Sequence, residues 1–269
     1  MIFFREYREY RPDMKLHIVE STFKTFPAHW HPEIEVIMVK SGHITAGFNF
    51  DTYTLSPGDL FLVPAGNIHY YDMRGDGKAY ILMFEAMLVD KELQGCSVPL
   101  IIRNENNTLF FKEIYDHIIS ELNNGEAEYK TFVKLYLSLL STWFLRKRTE
   151  DNIMKSESIN KSSLLETQKL FEFIEKNYQT KLTVKMGAEI MHYSTSHFCN
   201  YFKLLTGTTF SKYINIIRCE SVKNMLRTTD LKITEIAHQC GFEDIRTFTR
   251  VFKMVTGTTA YEYKRKMNE

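Results

Sequence analysis

The sequence predicts an α+β chain: a strand-rich N-terminal domain, a helical pair, a polar linker and an all-helical C-terminal domain. Three observations predict it. Short β-branched and aromatic stretches separated by turn residues fill residues from about 15 to 100. Helical spacing replaces them from about 107 to 147 and resumes after the polar stretch 149–163. The C-terminal third carries an imperfect repeat at an offset of 50 residues.

The strands are read from EIEVIMV, HITAGF and DLFLVPA, each bounded by Gly, Pro or Asp. In the helical pair Ile114, Ile118 and Leu122 fall on one stripe, and Phe132, Leu135, Leu139 and Phe144 on another. The pair is expected to mediate dimerisation. TEDNIMKSESINKSS has no aromatic residue and reads as a linker. The expected division is therefore 1–148 for sensing and dimerisation, 149–162 for the linker and 163–269 for the helical domain.

The repeat pairs FCNYFKLLTGTT (198–209) with FTRVFKMVTGTT (248–259), and upstream Ala188 corresponds to Ala237. Solenoids need about three copies, so two copies point to paired helix-turn-helix units. Each has a small residue where two helices approach, a tight turn, then a helix of about a dozen residues ending at Gly207 or Gly257. Ser194 stands at the N-cap position of the first long helix. Gly241 supplies the second turn, and His192 takes that place in the first.

On these helices Phe198, Tyr201, Phe202 and Leu205, and Phe248, Val251, Phe252 and Val255, form the core face. The opposite face offers Thr195, Ser196, His197, Cys199 and Asn200 in one copy and Asp244, Ile245, Arg246, Thr249 and Arg250 in the other. Short polar groups and arginines near the start of such a helix can reach base edges in the major groove of double-stranded DNA. Lys203 and Lys253 lie on the same side at the far ends, where bases are harder to reach. Charge agrees. From residue 160 onward there are 17 Lys and Arg against 11 Asp and Glu, a net of +6, and the preceding part has a net of −5.

Residues 163–267 resemble the DNA-binding domain of the AraC/XylS family of bacterial transcription regulators. The resemblance runs through IAHQCGFEDIRTFTRVFKMVTGTTAYEYKR, with Ile-Ala, Gly-Phe, Phe-x-x-x-Phe-Lys and Gly in the family's order. It implies seven helices, a long one at about 209–228 holding the two recognition helices apart, and a structural role for Arg218. Ala260 stands where the family usually has Pro, and His192 where it usually has a turn Gly. Thr259 and Glu262 form a capping box that can start the last helix without the proline.

The front domain contains HWHPEIEVIMVKSG and GDLFLVPAGNIH. Together they resemble the two cupin motifs, without the initial Gly of the first, and imply a cupin-like β-barrel that binds an effector. Period two places His29, His31 and Glu35 on one face of one strand, with His69 opposite. That quartet can hold a divalent metal such as Zn, Fe, Mn or Ni, or line a metal-free ligand pocket, the reading preferred for a regulator. Trp30, Tyr70 and Tyr71 can stack on a sugar or aromatic effector, or belong to the core.

The expected role is transcriptional control, as an activator contacting RNA polymerase and responding to a sugar or related metabolite. The alternative is a metal-dependent cupin enzyme, such as a dioxygenase or sugar isomerase, with a DNA-binding appendage. An architectural DNA-coating protein would carry a larger basic excess. No run of about eighteen apolar residues occurs and MIFFREYREYR lacks an uncharged leader core, so a cytoplasmic protein is expected. Cys96, Cys199, Cys219 and Cys240 form no CxxC pair and read as reduced, mostly buried thiols.

Overall fold

The computed structural model describes residues 10–11, 14, 16–22, 25–88, 99–103, 106–147 and 161–267. The chain divides into two compact units, Met1–Asn160 and Lys161–Glu269. Cys96 and residues 149–160 of the expected linker lie outside the described residues. Positions 161 and 162, read as linker, already belong to a helix.

The first unit is a rolled antiparallel sheet: β1 (Tyr10–Arg11), β2 (Leu16–Ser21), β3 (Thr25–His29), β4 (Glu33–Phe48), β5 (Asp51–Leu55), β6 (Leu60–Val63), β7 (His69–Glu85) and β8 (Leu100–Ile102). The main path runs β1-β2-β7-β4-β6-β8, with β3 added to β7 and β5 to β4. The long partners β4 and β7 are paired along their lengths, with register shifts between Val39 and His43. Bulges of this kind bend a strand. As a result β2, β6 and β8 flank one half of the pair, while β3 and β5 flank the other.

Inside the roll, Ile37, Val39, Phe61, Val63, Ile81 and Met83 meet Ile44, Ala46, Phe48, Leu55, Tyr71 and Met73 from the other half. The outer face of the larger half is also buried. There Ile34, Val36, Leu62, Leu82 and Phe84 pack against α1 (Asn106–Asn124) and α2 (Tyr129–Lys147). Coverage on both faces explains why EIEVIMV and DLFLVPA are nearly continuous apolar runs rather than alternating ones.

Ile114, Ile118 and Leu122, the stripe read on α1, are buried. On α2 the buried stripe is Val133, Leu137, Leu140 and Phe144. Of the four residues predicted to share a stripe, only Phe144 faces the core; Phe132, Leu135 and Leu139 are 47%, 60% and 49% exposed. Two apolar stripes run along this helix, and spacing alone does not say which one meets the sheet.

The second unit contains seven described helices: α3 (Lys161–Asn177), α4 (Val184–Ile190), α5 (Thr195–Thr206), α6 (Phe210–Thr228), α7 (Ile233–Gln239), α8 (Ile245–Thr256) and α9 (Ala260–Met267). Thr183, Ser194, Thr209 and Asp244 cap α4, α5, α6 and α8 through side-chain oxygens that accept backbone N–H bonds. Gly207 and Gly257 end α5 and α8 in the left-handed conformation. Thr259 and Glu262 exchange hydrogen bonds of 2.8 and 3.2 Å, so the capping box starts α9 where the proline is missing.

Two aromatic cores serve the two helix-turn-helix units. In the first, Phe202 touches Phe171, Phe198, Phe210 and Tyr213. In the second, Phe248 touches Phe242 and Phe252, and Phe252 touches Tyr263. Arg218 on α6 links the halves. Its guanidinium donates at 2.8 Å to the carbonyls of both Tyr178 and Thr180, and lies 5.8 Å from the Phe242 ring centre. Burial pulls its pKa below the ordinary arginine value. Gly241 closes the same junction at φ 87°, where an added Cβ would sit 2.6 Å from the Gln179 carbonyl oxygen.

Candidate functional site

The sensing-domain quartet assembles from three strands and a connection, so His29, His31 and Glu35 do not share one strand. His29 ends β3 and pairs in register with His69 at the start of β7. His31 lies in the connection before β4, and Glu35 sits on β4, whose inward face carries Ile37 and Val39. All four side chains are buried, and one ligating atom from each lies within 4.8 Å of the others.

Hydrogen bonds fix how the three rings present themselves. Nδ1 of His29 is 2.9 Å from the Pro27 carbonyl, Nδ1 of His31 is 3.0 Å from the Glu33 carbonyl, and Nδ1 of His69 is 3.0 Å from the Asn67 carbonyl. A carbonyl oxygen only accepts, so each Nδ1 carries the proton. In a neutral ring Nε2 then presents a lone pair. His31 Nε2 lies 3.1 Å from a Glu35 carboxylate oxygen and His69 Nε2 lies 3.8 Å from the same atom. Lone pairs facing a carboxylate in a buried space require a proton or a cation between them. Backbone acceptors at the distal nitrogens are also what orients metal-binding histidines.

Sequence reasoning missed the supporting groups. Glu33 is buried with a carboxylate oxygen 3.6 Å from His31 Nδ1. Asn67 anchors the turn before His69 by donating to the carbonyls of Pro64 and Ala65 at 3.2 Å. The alternation Glu33-Ile34-Glu35 was a usable signal for the first, because it puts both carboxylates on the inward face.

The expected aromatic lining divides. Tyr71 is buried inside the roll with its ring centre 5.7 Å from that of His69. Tyr70 points the other way: a Cβ on Gly47 would stand 1.9 Å from its ring, so Tyr70 lies across Gly47 on the outer face. Adjacent strand residues face opposite sides, which removes Tyr70 from the interior lining. Burial raises its phenol pKa. Trp30, between His29 and His31, is half-buried.

In the helical unit the predicted DNA-facing positions form two matching exposed surfaces. Thr195, Ser196, His197, Cys199, Asn200 and Lys203 are exposed on α5, and Ile245, Arg246, Thr249, Arg250 and Lys253 on α8. Cys199 is thus an exposed thiol, while Cys219 and Cys240 are buried. Burial pushes the Cys219 thiol up to about 12. Asp244, exposed at the start of α8, also caps it: its carboxylate accepts the Thr247 N–H at 2.8 Å, which holds its pKa below the ordinary value. Thr249 donates its hydroxyl to the Ile245 carbonyl at 2.8 Å and leaves its lone pairs outward. His197 stacks on Tyr193 with ring centres 4.2 Å apart.

The geometry defines the class: a barrel-type sensing domain joined to a paired helix-turn-helix domain, which is a two-domain transcription regulator. The cupin domain family matches residues 17–85 and the helix-turn-helix domain family matches residues 188–266. The raffinose operon transcriptional regulatory protein RafR of Pediococcus pentosaceus is 24% identical, over 82% of this chain and 80% of its own. The HTH-type transcriptional activator RhaS of Klebsiella pneumoniae is 22% identical, over 85% and 84%. Apo ToxT from Vibrio cholerae shares the fold with a TM-score of 0.52 at 14% identity, covering 96% of this chain and 98% of that one. A cupin domain and a helix-turn-helix domain, with relatives over most of the chain's length that are transcription regulators, make the chain similar to regulators of the AraC/XylS type. Among the described residues no helix is long and apolar enough to cross a membrane.

Proposed function

We propose that the chain is a homodimeric, cytoplasmic activator that senses a sugar or related metabolite in the roll and contacts RNA polymerase from DNA. Regulation rather than catalysis is the output of the buried quartet. The observation that carries the sensing assignment is the convergence of His29, His31, His69 and Glu35 inside the domain. RafR, named for the raffinose operon, supports a sugar effector, and RhaS, named an activator, supports the direction of control.

The quartet passes a fit test for a divalent ion. Three neutral-tautomer imidazoles and one carboxylate are the donor set such ions take. Ligand atoms about 2.0–2.2 Å from an ion stand about 3.4 Å apart at a tetrahedral angle and at most about 4.4 Å when opposite, so the side chains, now within 4.8 Å of one another, close inward by small rotations to hold it. These hydrogen bonds favour a resident metal over the metal-free pocket. Bound there, the ion would supply a Lewis-acid anchor for an effector oxygen, while Tyr71 borders His69 inside the same wall.

Dimerisation is supported by the stripe Phe132, Leu135 and Leu139, which α2 leaves exposed. Apolar patches of this kind mark interfaces, and a second copy would present the same stripe. Two DNA-binding units would then be tethered near each other, raising affinity without new contacts.

The test is metal analysis of untagged protein together with footprinting under a sugar panel at one salt concentration. One divalent ion per chain, lost in His31→Ala, and a sugar-dependent footprint are expected. Metal-free protein that still responds to a sugar would overturn the metal assignment. A footprint insensitive to every sugar would overturn the effector class.

A further inference from the structure

We infer a second ligand site on the sensing domain, outside the roll: an open cleft that takes a small organic anion with a compact apolar body. It lies at the seam where β4, the turn at Pro57 and β7 meet the start of α1, and holds about 400 Å³. The volume suits a small metabolite. Nothing in the buried quartet contributes to it.

Two cations meet over one aromatic ring there. Lys40 Nζ stands 5.1 Å and Lys112 Nζ 5.3 Å from the centre of the Tyr80 ring. Tyr80 itself is buried and braced by Tyr115, with ring centres 4.8 Å apart. Met38, Pro57 and Leu109 supply the apolar walls, and Leu109 is 71% exposed at the rim. A large side chain that exposed on a helix beside two lysines is what a ligand's apolar body would cover.

The lysines are not locked into their present pairs. Lys40 bonds Glu20 at 2.7 Å, with both side chains about two-fifths exposed, and Lys112 pairs with Asp116 one helical turn away on the surface. Exposed pairs of this type hold weakly. Lys78 also lies close enough to lower the Glu20 pKa, so Glu20 is shared between ammonium groups rather than held by Lys40 alone. A carboxylate between Lys40 and Lys112 would take a share of both ammonium groups, and the Tyr80 face would stay covered. Phosphate alone lacks the apolar part and would gain only the charge.

The experiment is calorimetric titration of the full chain with hexanoate and phenylacetate, with hexanol and 2-phenylethanol as uncharged matches. Saturable binding of the acids, and at least tenfold weaker binding of the alcohols, are expected. Lys40→Gln with Lys112→Gln should weaken the acids tenfold or more, and Leu109→Glu should do the same by placing like charge at the rim. All three positions are at the surface, so unchanged melting temperatures would show that the variants fold. His31→Ala should leave the binding intact, which separates this site from the quartet. Equal binding of acid and alcohol, or full acid binding in the lysine variant, would overturn the proposal. So would the absence of saturable binding at millimolar acid, or loss of acid binding in His31→Ala.

Discussion

The first helix-turn-helix unit turns on His192 at φ 54°, and the second turns on Gly241 at φ 87°. The first caps its long helix with the Ser194 hydroxyl, and the second with the Asp244 carboxylate. Beneath these differences the supports agree. Phe198 and Phe202 fill one core as Phe248 and Phe252 fill the other, and Ala188 and Ala237 are both buried where the helices approach. In the first unit Gly187 adds to that closeness, since a Cβ there would stand 2.4 Å from the Phe198 ring. On the outer faces the units part. Ser196 and Asn200 of α5 correspond to Arg246 and Arg250 of α8, so α5 has no cation before Lys203. One scaffold therefore carries two chemically different exposed surfaces, because exposed positions are free to change while the packed ones are not.

The strongest way to break this comparison is through the shared core. Phe198→Ala and Phe248→Ala should each cost about 3–5 kcal/mol, the usual range for emptying a buried aromatic position. The two losses should be similar, as read by denaturant unfolding. A loss under about 1 kcal/mol in one unit would show that the scaffolds are not equivalent.

The reading surfaces come next in size. Arginine makes bidentate contacts to guanine, and asparagine to adenine. Selection from random duplexes should therefore recover guanines in the segment covered by α8 and A·T pairs in the segment covered by α5, about ten base pairs away. Arg250→Ala should cost roughly 1–3 kcal/mol on the selected site and much less on random DNA. Asn200→Ala should relax the preference only in the other segment. Equal losses on both kinds of DNA would make these residues phosphate anchors and erase the distinction.

Much of this was legible in the sequence because the signals were local. The repeat, the N-cap Ser194, the terminal Gly207 and Gly257 and the turn residues His192 and Gly241 all depend on backbone geometry within a few residues. The quartet was legible as a set with His69 opposite, although His29, His31 and Glu35 do not share one strand: His29 ends β3, His31 falls in a connection and Glu35 is on β4. What escaped depended on which of two faces meets a neighbour. Helix α2 has two apolar stripes, and only the packed sheet selects Val133, Leu137 and Leu140 over Phe132, Leu135 and Leu139. Tyr70 and Tyr71 could not both line the interior, and strand alternation alone was enough to say so.

The two turns offer a smaller effect of opposite sign. A non-glycine residue in the left-handed region carries a penalty of about 1–2 kcal/mol, part of which returns as the greater freedom of glycine in the unfolded chain. His192→Gly should therefore raise stability by at most about 1 kcal/mol in thermal unfolding. Gly241→Ala should lower it, because the added Cβ meets the Gln179 backbone at the junction that Arg218 holds. Stabilisation by Gly241→Ala would contradict the geometry of that turn.

The smallest effect separates the two caps by pH. Asp244 has a folded-state pKa below the ordinary value, chiefly because the Thr247 backbone N–H bonds its carboxylate. Its unfolded pKa is about 3.9. A depressed folded pKa means that the unfolded chain binds the proton more readily, so stability rises with pH across the interval. The contribution is fully present above the unfolded pKa and fades as pH falls through the folded one. Ser194 has no such proton, and its hydroxyl accepts the His197 N–H at 3.3 Å throughout. Hydrogen exchange in α8 should therefore speed up relative to α5 as pH is lowered from about 5 to 3, after correction for the intrinsic rate. Asp244→Ser should remove the difference by giving both units the same kind of cap, and Ser194→Asp should transfer the pH dependence to α5. If Asp244→Ser leaves the relative acid sensitivity of α8 unchanged, the carboxylate cap is not its source.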